Sequence, residues 1–159
     1  MKNRLNLNLI KIKHLFIVAA LMYKKKSIKT YQEISHCVSV SATPVFAADE
    51  SSDKEKRYIW AYQIRIENKS EHVLQLRRRY WKITDCYGKT QEIRGDGVVG
   101  EQPILKPGDI FEYTSATPLQ TPSGIMEGTY VMVDPSGKEF EIKIPAFSLD
   151  SPYQNQVIH

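Results

Sequence analysis

"RYIWAYQIRIEN", Arg57–Asn68, is the stretch that decides the fold class. Tyr58, Trp60, Tyr62, Ile64 and Ile66 recur at every second position, while Gln63, Arg65 and Glu67 occupy the other parity. A repeat of two belongs to extended chain, whose successive side chains leave opposite faces. Aromatic and β-branched residues suit such a pleated, half-buried surface. The stretch therefore reads as a strand with one face in a core. Trp60, which continues the apolar alternation, reads as a core residue rather than a ligand platform.

The same period runs outward in both directions. Upstream, "HCVSVSATPVF" forms an earlier strand, and downstream Asn68–Ser70 turns the chain. In "VLQLRRRYWKITD", Val73, Trp81 and Ile83 share one parity and Leu74, Leu76 and Tyr80 the other, so periodicity alone leaves the inward face of this strand undecided. "DCYGK" is a turn and "TQEIR" a short strand. "LKPGD" places Pro107 at a turn's first corner, with Gly108 able to take positive φ. "IFEYTSAT" alternates Phe111, Tyr113 and Ser115 against Ile110, Glu112 and Thr114. "IMEGTYVMVD" puts Met126, Gly128, Tyr130 and Met132 on one face, and "EFEIKIPAF" points Phe140, Ile142 and Ile144 inward. That makes about seven strands with turns about every eight to twelve residues, the pattern of an all-β, antiparallel sandwich. Residues 30–150 form this domain, and residues 151–159 read as a loose C-terminal tail.

Charge is distributed unevenly. The 159 residues carry a net +4, but residues 1–29 hold eight of the 22 basic residues and no acid. The remaining 14 basic residues face 18 acidic ones, so the domain itself is net −4. A mildly acidic domain lacks the positive footprint that a phosphate backbone requires, and neither DNA nor RNA is expected as partner. The apolar run Leu15–Met22 is far shorter than the roughly 20 residues of a membrane span. It has the length of a signal-peptide core, but lysines follow it at once, and the cleavage-like "VFAAD" (Val45–Asp49) lies far downstream. Residues 1–29 are thus expected to be a basic extension outside the fold, either unstructured or a misplaced start with translation from Met22; a signal or surface anchor is the alternative.

Two cysteines, Cys37 and Cys86, form no metal-ligand pattern and are expected to be free, fairly buried thiols of a reducing compartment. The chain is accordingly placed in the cytoplasm. The four histidines are scattered without metal-ligand spacing.

"IRGDGVVGEQP", Ile93–Pro103, spells G-x-G-x-x-G with Gly95, Gly97 and Gly100. A dinucleotide fingerprint needs a helix opening on its last glycine. Pro103 and the Pro107–Gly108 turn exclude one here, and without it no helix terminus presents free N–H groups to a pyrophosphate. The expectation is that these glycines supply positive φ or close backbone approach. A phosphate nest of successive amides is the competing reading.

The blocks "YIWAYQIRIEN", "VLQLRRRYWKITD", "EIRGDGVVGEQPILKPGDIFEYTSATPLQTPSGIMEGTYVMVD" and "IPAFSL" resemble the ApaG family in order and spacing, from Tyr31 to about Asp150. The resemblance implies an immunoglobulin/fibronectin-III-like sandwich. It carries over no catalytic residue. It implies a partner-binding module, since the domain also occurs appended to an F-box protein and to a polymerase-δ-interacting protein. It further implies links to cobalt and magnesium homeostasis and to diadenosine-polyphosphate metabolism. The chain keeps the family's Arg79, Trp81, Gly95, Gly97, Gly100, Glu101 and Thr121, but departs at Arg77 and Arg78, where the family more often has an apolar and then a small residue. One of these two arginines is therefore expected to face a wet or ligand-lined surface.

Arg79 can take a phosphate or carboxylate at two points, and Arg77 and Arg78 would enlarge that patch; the alternative is a solvated edge strand. "TSATPLQTPSG", with Thr117 and Thr121, offers hydroxyls but no neighbouring base to activate them. Asp85, Asp96, Glu101, Asp109 and Glu112 could hold magnesium or cobalt only if the fold gathered them. The expectation is a non-enzymatic binding module without a required cofactor. It recognises a protein partner, or a phosphorylated small ligand, through Arg78, Arg79, Gly95, Gly97, Gly100, Glu101, Thr117 and Thr121. The alternative is a role in cation homeostasis or diadenosine-polyphosphate metabolism, with pyrophosphate or nucleotide on the glycine loop.

Overall fold

The computed structural model describes residues 9–22 and 28–154. A helix, α1 (Leu9–Met22), precedes nine strands: β1 (Tyr31–Ser35), β2 (Val38–Phe46), β3 (Tyr58–Asn68), β4 (Leu74–Asp85), β5 (Thr90–Asp96), β6 (Ile104–Leu105), β7 (Ile110–Leu119), β8 (Ser123–Val133) and β9 (Glu139–Asp150). One sheet has the order β1-β2-β3-β7 and the other β5-β4-β8-β9, with β6 also on β4. Every pairing is antiparallel. Two such sheets face to face are the expected sandwich.

The alternation that opened the sequence builds the core. Tyr58, Trp60, Tyr62, Ile64 and Ile66 are buried on the inner face of β3. From the second sheet, Leu76, Trp81, Ile83, Tyr130, Ile142 and Phe147 join them in one cluster. Trp81 meets Tyr62, Tyr130 and Phe147 edge-on at centroid distances of 5.6, 6.4 and 6.1 Å, the arrangement ring quadrupoles favour.

Among the described residues there are nine strands rather than seven. One addition, β6, is two residues long. The other is β1, joined to β2 by the two-residue turn His36–Cys37, with φ of 49° and 59°. Tight hairpins require positive φ at such positions and usually advertise it with Asn or Gly. Here no glycine marks the turn, and only the second strand of the pair, within "HCVSVSATPVF", is legible in the sequence. That turn also corrects the reading of the thiols. Cys37 and Cys86 are free, but both are exposed, because Cys37 lies in the hairpin turn and Cys86 follows the last residue of β4.

α1 rests on β2, β3 and β7. Ile12, Leu15, Phe16 and Ala19, spaced as one helical face, and Val18 beside them are its more buried positions, whereas Ile10, Lys11, Lys13, His14 and Ile17 are exposed. Residues 1–8 and 23–27 of the basic segment lie outside the described residues, as do residues 155–159 of the tail. Within the tail, Ser151 N–H donates to the Pro122 carbonyl at 3.1 Å, and Tyr153 meets Phe46 edge-on and Tyr58 at a tilt.

Candidate functional site

The site is built on an irregularity in β4. Leu76 stands opposite Met132 and Arg78 opposite Val131, two steps along β4 against one along β8. Arg77 is the extra residue of a β-bulge. Before it Leu74 and Leu76 point into the core; after it Trp81 and Ile83 do. The bulge is why the strand carries two apolar parities. It also makes both Arg77 and Arg78 exposed, while Arg79 is half-buried.

The glycine loop holds the bulge in place. β5 ends at Asp96, opposite Arg78. Gly97, with φ +58°, donates its N–H to the Arg77 carbonyl at 2.8 Å. Gln102 Nε2 donates to the same carbonyl at 2.9 Å. Val98 and Glu101 exchange backbone bonds of 2.8 and 2.9 Å around Val99 and Gly100, both at positive φ (44° and 81°). A left-handed valine is a strained position. Arg79 Nη1 donates to the Asp96 and Gly97 carbonyls, each at 2.8 Å. Its guanidinium lies over Gly95, where a Cβ would come within 2.9 Å of Nη2. Positive φ at Gly97 and Gly100, and close approach at Gly95, are the uses expected of these residues. The chain continues into β6, not a helix, and the Gly97, Val98 and Glu101 amides are already engaged within the protein.

Outside the bulge lies a groove of about 380 Å³ lined by Arg77, Arg78, Asp96, Gln102 and Glu139, among others. Arg78 meets Glu139 at two points, Nη1 to Oε1 at 3.1 Å and Nη2 to Oε2 closer still. These bonds hold the Glu139 carboxyl below its usual range and push the Arg78 guanidinium up. A second groove, of about 360 Å³, crosses the outer sheet face at Tyr80. Arg94 stacks on that ring 4.2 Å from its centroid, and the Tyr80 hydroxyl donates to Glu92 at 2.8 Å. The bond to Glu92 is the main cause raising the Tyr80 phenol.

On the inner side, Arg79 lies opposite Tyr130 in the β4–β8 ladder. Tyr113 and Tyr130 share a hydrogen bond between their hydroxyls. Burial pushes the phenols of Tyr62, Tyr113 and Tyr130 up, and the Arg79 charge acts in the opposite direction on all three.

Arg78, Arg79, Gly95, Gly97, Gly100 and Glu101 thus converge at one end of the sandwich. Thr117 and Thr121 do not. Thr117 is buried opposite Trp60 in the β3–β7 ladder. Thr121 Oγ1 donates to the Ser123 carbonyl at 2.8 Å and accepts the Cys86 N–H at 3.4 Å, beyond the far end of β4. The rise of an extended chain puts about 20 Å between that end and Arg79. Asp85 caps the adjoining turn, Asp109 accepts the Lys106 N–H, and Glu112 pairs with Arg65. Among the described residues no three metal-ligating side chains converge. Gln102 and Glu139 were not legible as site residues; Glu139 reaches Arg78 across 61 positions of sequence, through β-sheet register alone.

A sequence profile of the ApaG domain matches residues 48–134. The chain is 54% identical over 123 residues to the protein ApaG of Rhodospirillum centenum, covering 77% of this chain and 95% of that one. It is 50% identical over 129 residues to the protein ApaG of Parvibaculum lavamentivorans, covering 81% and 99%. Among solved structures it is similar to an ApaA protein of Bordetella pertussis, with TM-score 0.71 and 43% identity over 79% of this chain and 98% of that one. With its sandwich, its glycine loop and these likenesses together, the chain belongs to the ApaG family.

Proposed function

We propose that the protein is a non-enzymatic, cytoplasmic binding module that recognises a protein partner or a phosphorylated small ligand at the Arg78–Arg79 end of the sandwich. The observation that carries this reading is the groove outside the bulge. Two consecutive arginines face solvent there because the glycine loop fixes the backbone beneath them. Bulges commonly re-aim side chains at functional sites, and guanidinium forks recognise carboxylates and phosphoryl groups. Loops carried on a rigid sandwich are also where recognition residues usually sit.

The test is partner capture with the tagged full chain, alongside calorimetry with pyrophosphate, diadenosine tetraphosphate, magnesium and cobalt. Arg78→Ala is expected to weaken whatever the protein retains, and Thr121→Ala, at the opposite end, to leave it unchanged. Retention that depends on Thr121 and ignores Arg78 would overturn the reading. Saturable binding of cobalt or magnesium, unaffected by Arg78→Ala, would favour the cation-homeostasis alternative.

A further inference from the structure

We propose that Arg77 is the anchor of a docking groove for an acidic segment of a partner protein, whose carboxylate it takes at two points. This rests on the binding-module reading and names the chemistry that the site selects.

Three observations lead there. First, the Arg77 backbone is fixed: its carbonyl accepts both the Gly97 N–H and Gln102 Nε2, so the side chain leaves the bulge in a set direction. Pre-organisation of this kind lowers the ordering cost of binding. Second, the Arg77 guanidinium belongs to none of the ion pairs among the described residues, whereas Arg78, Arg65 and Arg57 all have carboxylate partners. Third, the groove already holds the group in question. Glu139 seats its carboxylate on Arg78 with both oxygens, an internal copy of the contact that Arg77 lacks.

The walls choose between anions. Asp96 and Glu139 both line the groove, and the Glu139 carboxyl is lowered first by its hydrogen bond to Arg78 and only last by the Arg77 charge. A phosphate dianion would meet two carboxylates at close range. A side-chain carboxylate brings half that charge and a stem that can lie along Val133, which also lines the groove. An acidic peptide is therefore the better fit.

The experiment uses the full chain and a rhodamine-labelled, end-capped peptide with one glutamate among alanine and serine residues, at low ionic strength, read by anisotropy. Arg77→Ala should weaken binding about tenfold, as for a charged partner truncated in a partly enclosed site. Arg65→Ala, on the other sheet, should leave it unchanged. Glu139→Gln removes the competing internal carboxylate and frees Arg78, so it should tighten binding several-fold. Melting temperatures of the variants establish that each is folded. Absent saturable binding, equal affinities in the Arg77 and Arg65 variants, or weaker binding in Glu139→Gln would each overturn the proposal. So would displacement of the peptide by inorganic phosphate at lower concentration than by free glutamate. If these fail while Arg78-dependent capture of a partner stands, the binding module survives and only the acidic-segment assignment falls.

Discussion

The Gly97 amide donates to the Arg77 carbonyl at 2.8 Å, and this bond makes the glycine loop and the arginine bulge one structural unit. The G-x-G-x-x-G spacing serves that unit. Gly97 is buried, and a Cβ there would lie 2.1 Å from the Glu101 carbonyl oxygen, while Gly100, also left-handed, has open space around it. The two glycines should therefore respond differently. Gly100→Ala meets only conformational strain, about 1 kcal/mol. Gly97→Ala meets that strain and a backbone clash, and should cost more. Urea denaturation midpoints of the two variants check the order; equal midpoints would contradict it.

Trp60→Ala should cost on the order of 3–5 kcal/mol, the scale of a large aromatic truncation in a core. Trp60 is 1% exposed and meets Phe46 edge-on at 5.3 Å. An unchanged denaturant midpoint would mean that the ring is not part of the core.

Arg79→Lys should loosen the loop while leaving the sandwich folded. One guanidinium nitrogen bridges the Asp96 and Gly97 carbonyls while the planar head lies over Gly95, a geometry that an ammonium point charge does not reproduce. Backbone amide resonances of residues 95–101 should shift or broaden, and those of β3 should not. Unperturbed loop resonances would remove Arg79 from the role assigned to it.

Alkaline stability follows from the tyrosines. Burial, followed by the hydrogen bond to Asp53, pushes the Tyr58 phenol up to about 12, and burial also raises Tyr62, Tyr113 and Tyr130. The unfolded chain ionises tyrosine near pH 10. Folded values raised above that level give stability that is complete below about pH 10 and lost as pH climbs towards 12 and beyond. Phenolate absorbance should therefore appear in two phases, with the buried set in the later one, together with loss of near-ultraviolet dichroism. A single phase centred near 10, with the fold intact, would contradict the burial.

Much of this architecture was legible in the alternation of residues. Tyr58 to Ile66 and Met126 to Met132 name their own core faces, because a two-residue period has only two solutions. What stayed hidden were the places where the period breaks. Arg77 is one inserted residue, invisible as such until β8 supplies the opposite register, so Leu76 and Trp81 looked incompatible. His36 and Cys37 take positive φ without the residues that usually announce it. In the site, Gly95, Gly97, Gly100 and Arg79 could be grouped from the sequence, but Thr117 and Thr121 were grouped with them only by composition: Thr117 lies buried in the other sheet, and Thr121 beyond the far end of β4. Glu139 enters through sheet topology, which no local pattern encodes.

Amide hydrogen exchange at Gly97, Val98 and Glu101, followed with and without pyrophosphate, tests the central claim most directly. If the loop is the scaffold of the arginine bulge, these three amides are already bonded to Arg77, Glu101 and Val98, and they exchange slowly and at the same rate whether or not pyrophosphate is added. Fast exchange in the free protein that pyrophosphate slows in a saturable manner would contradict the account, and would make the loop a phosphate cradle.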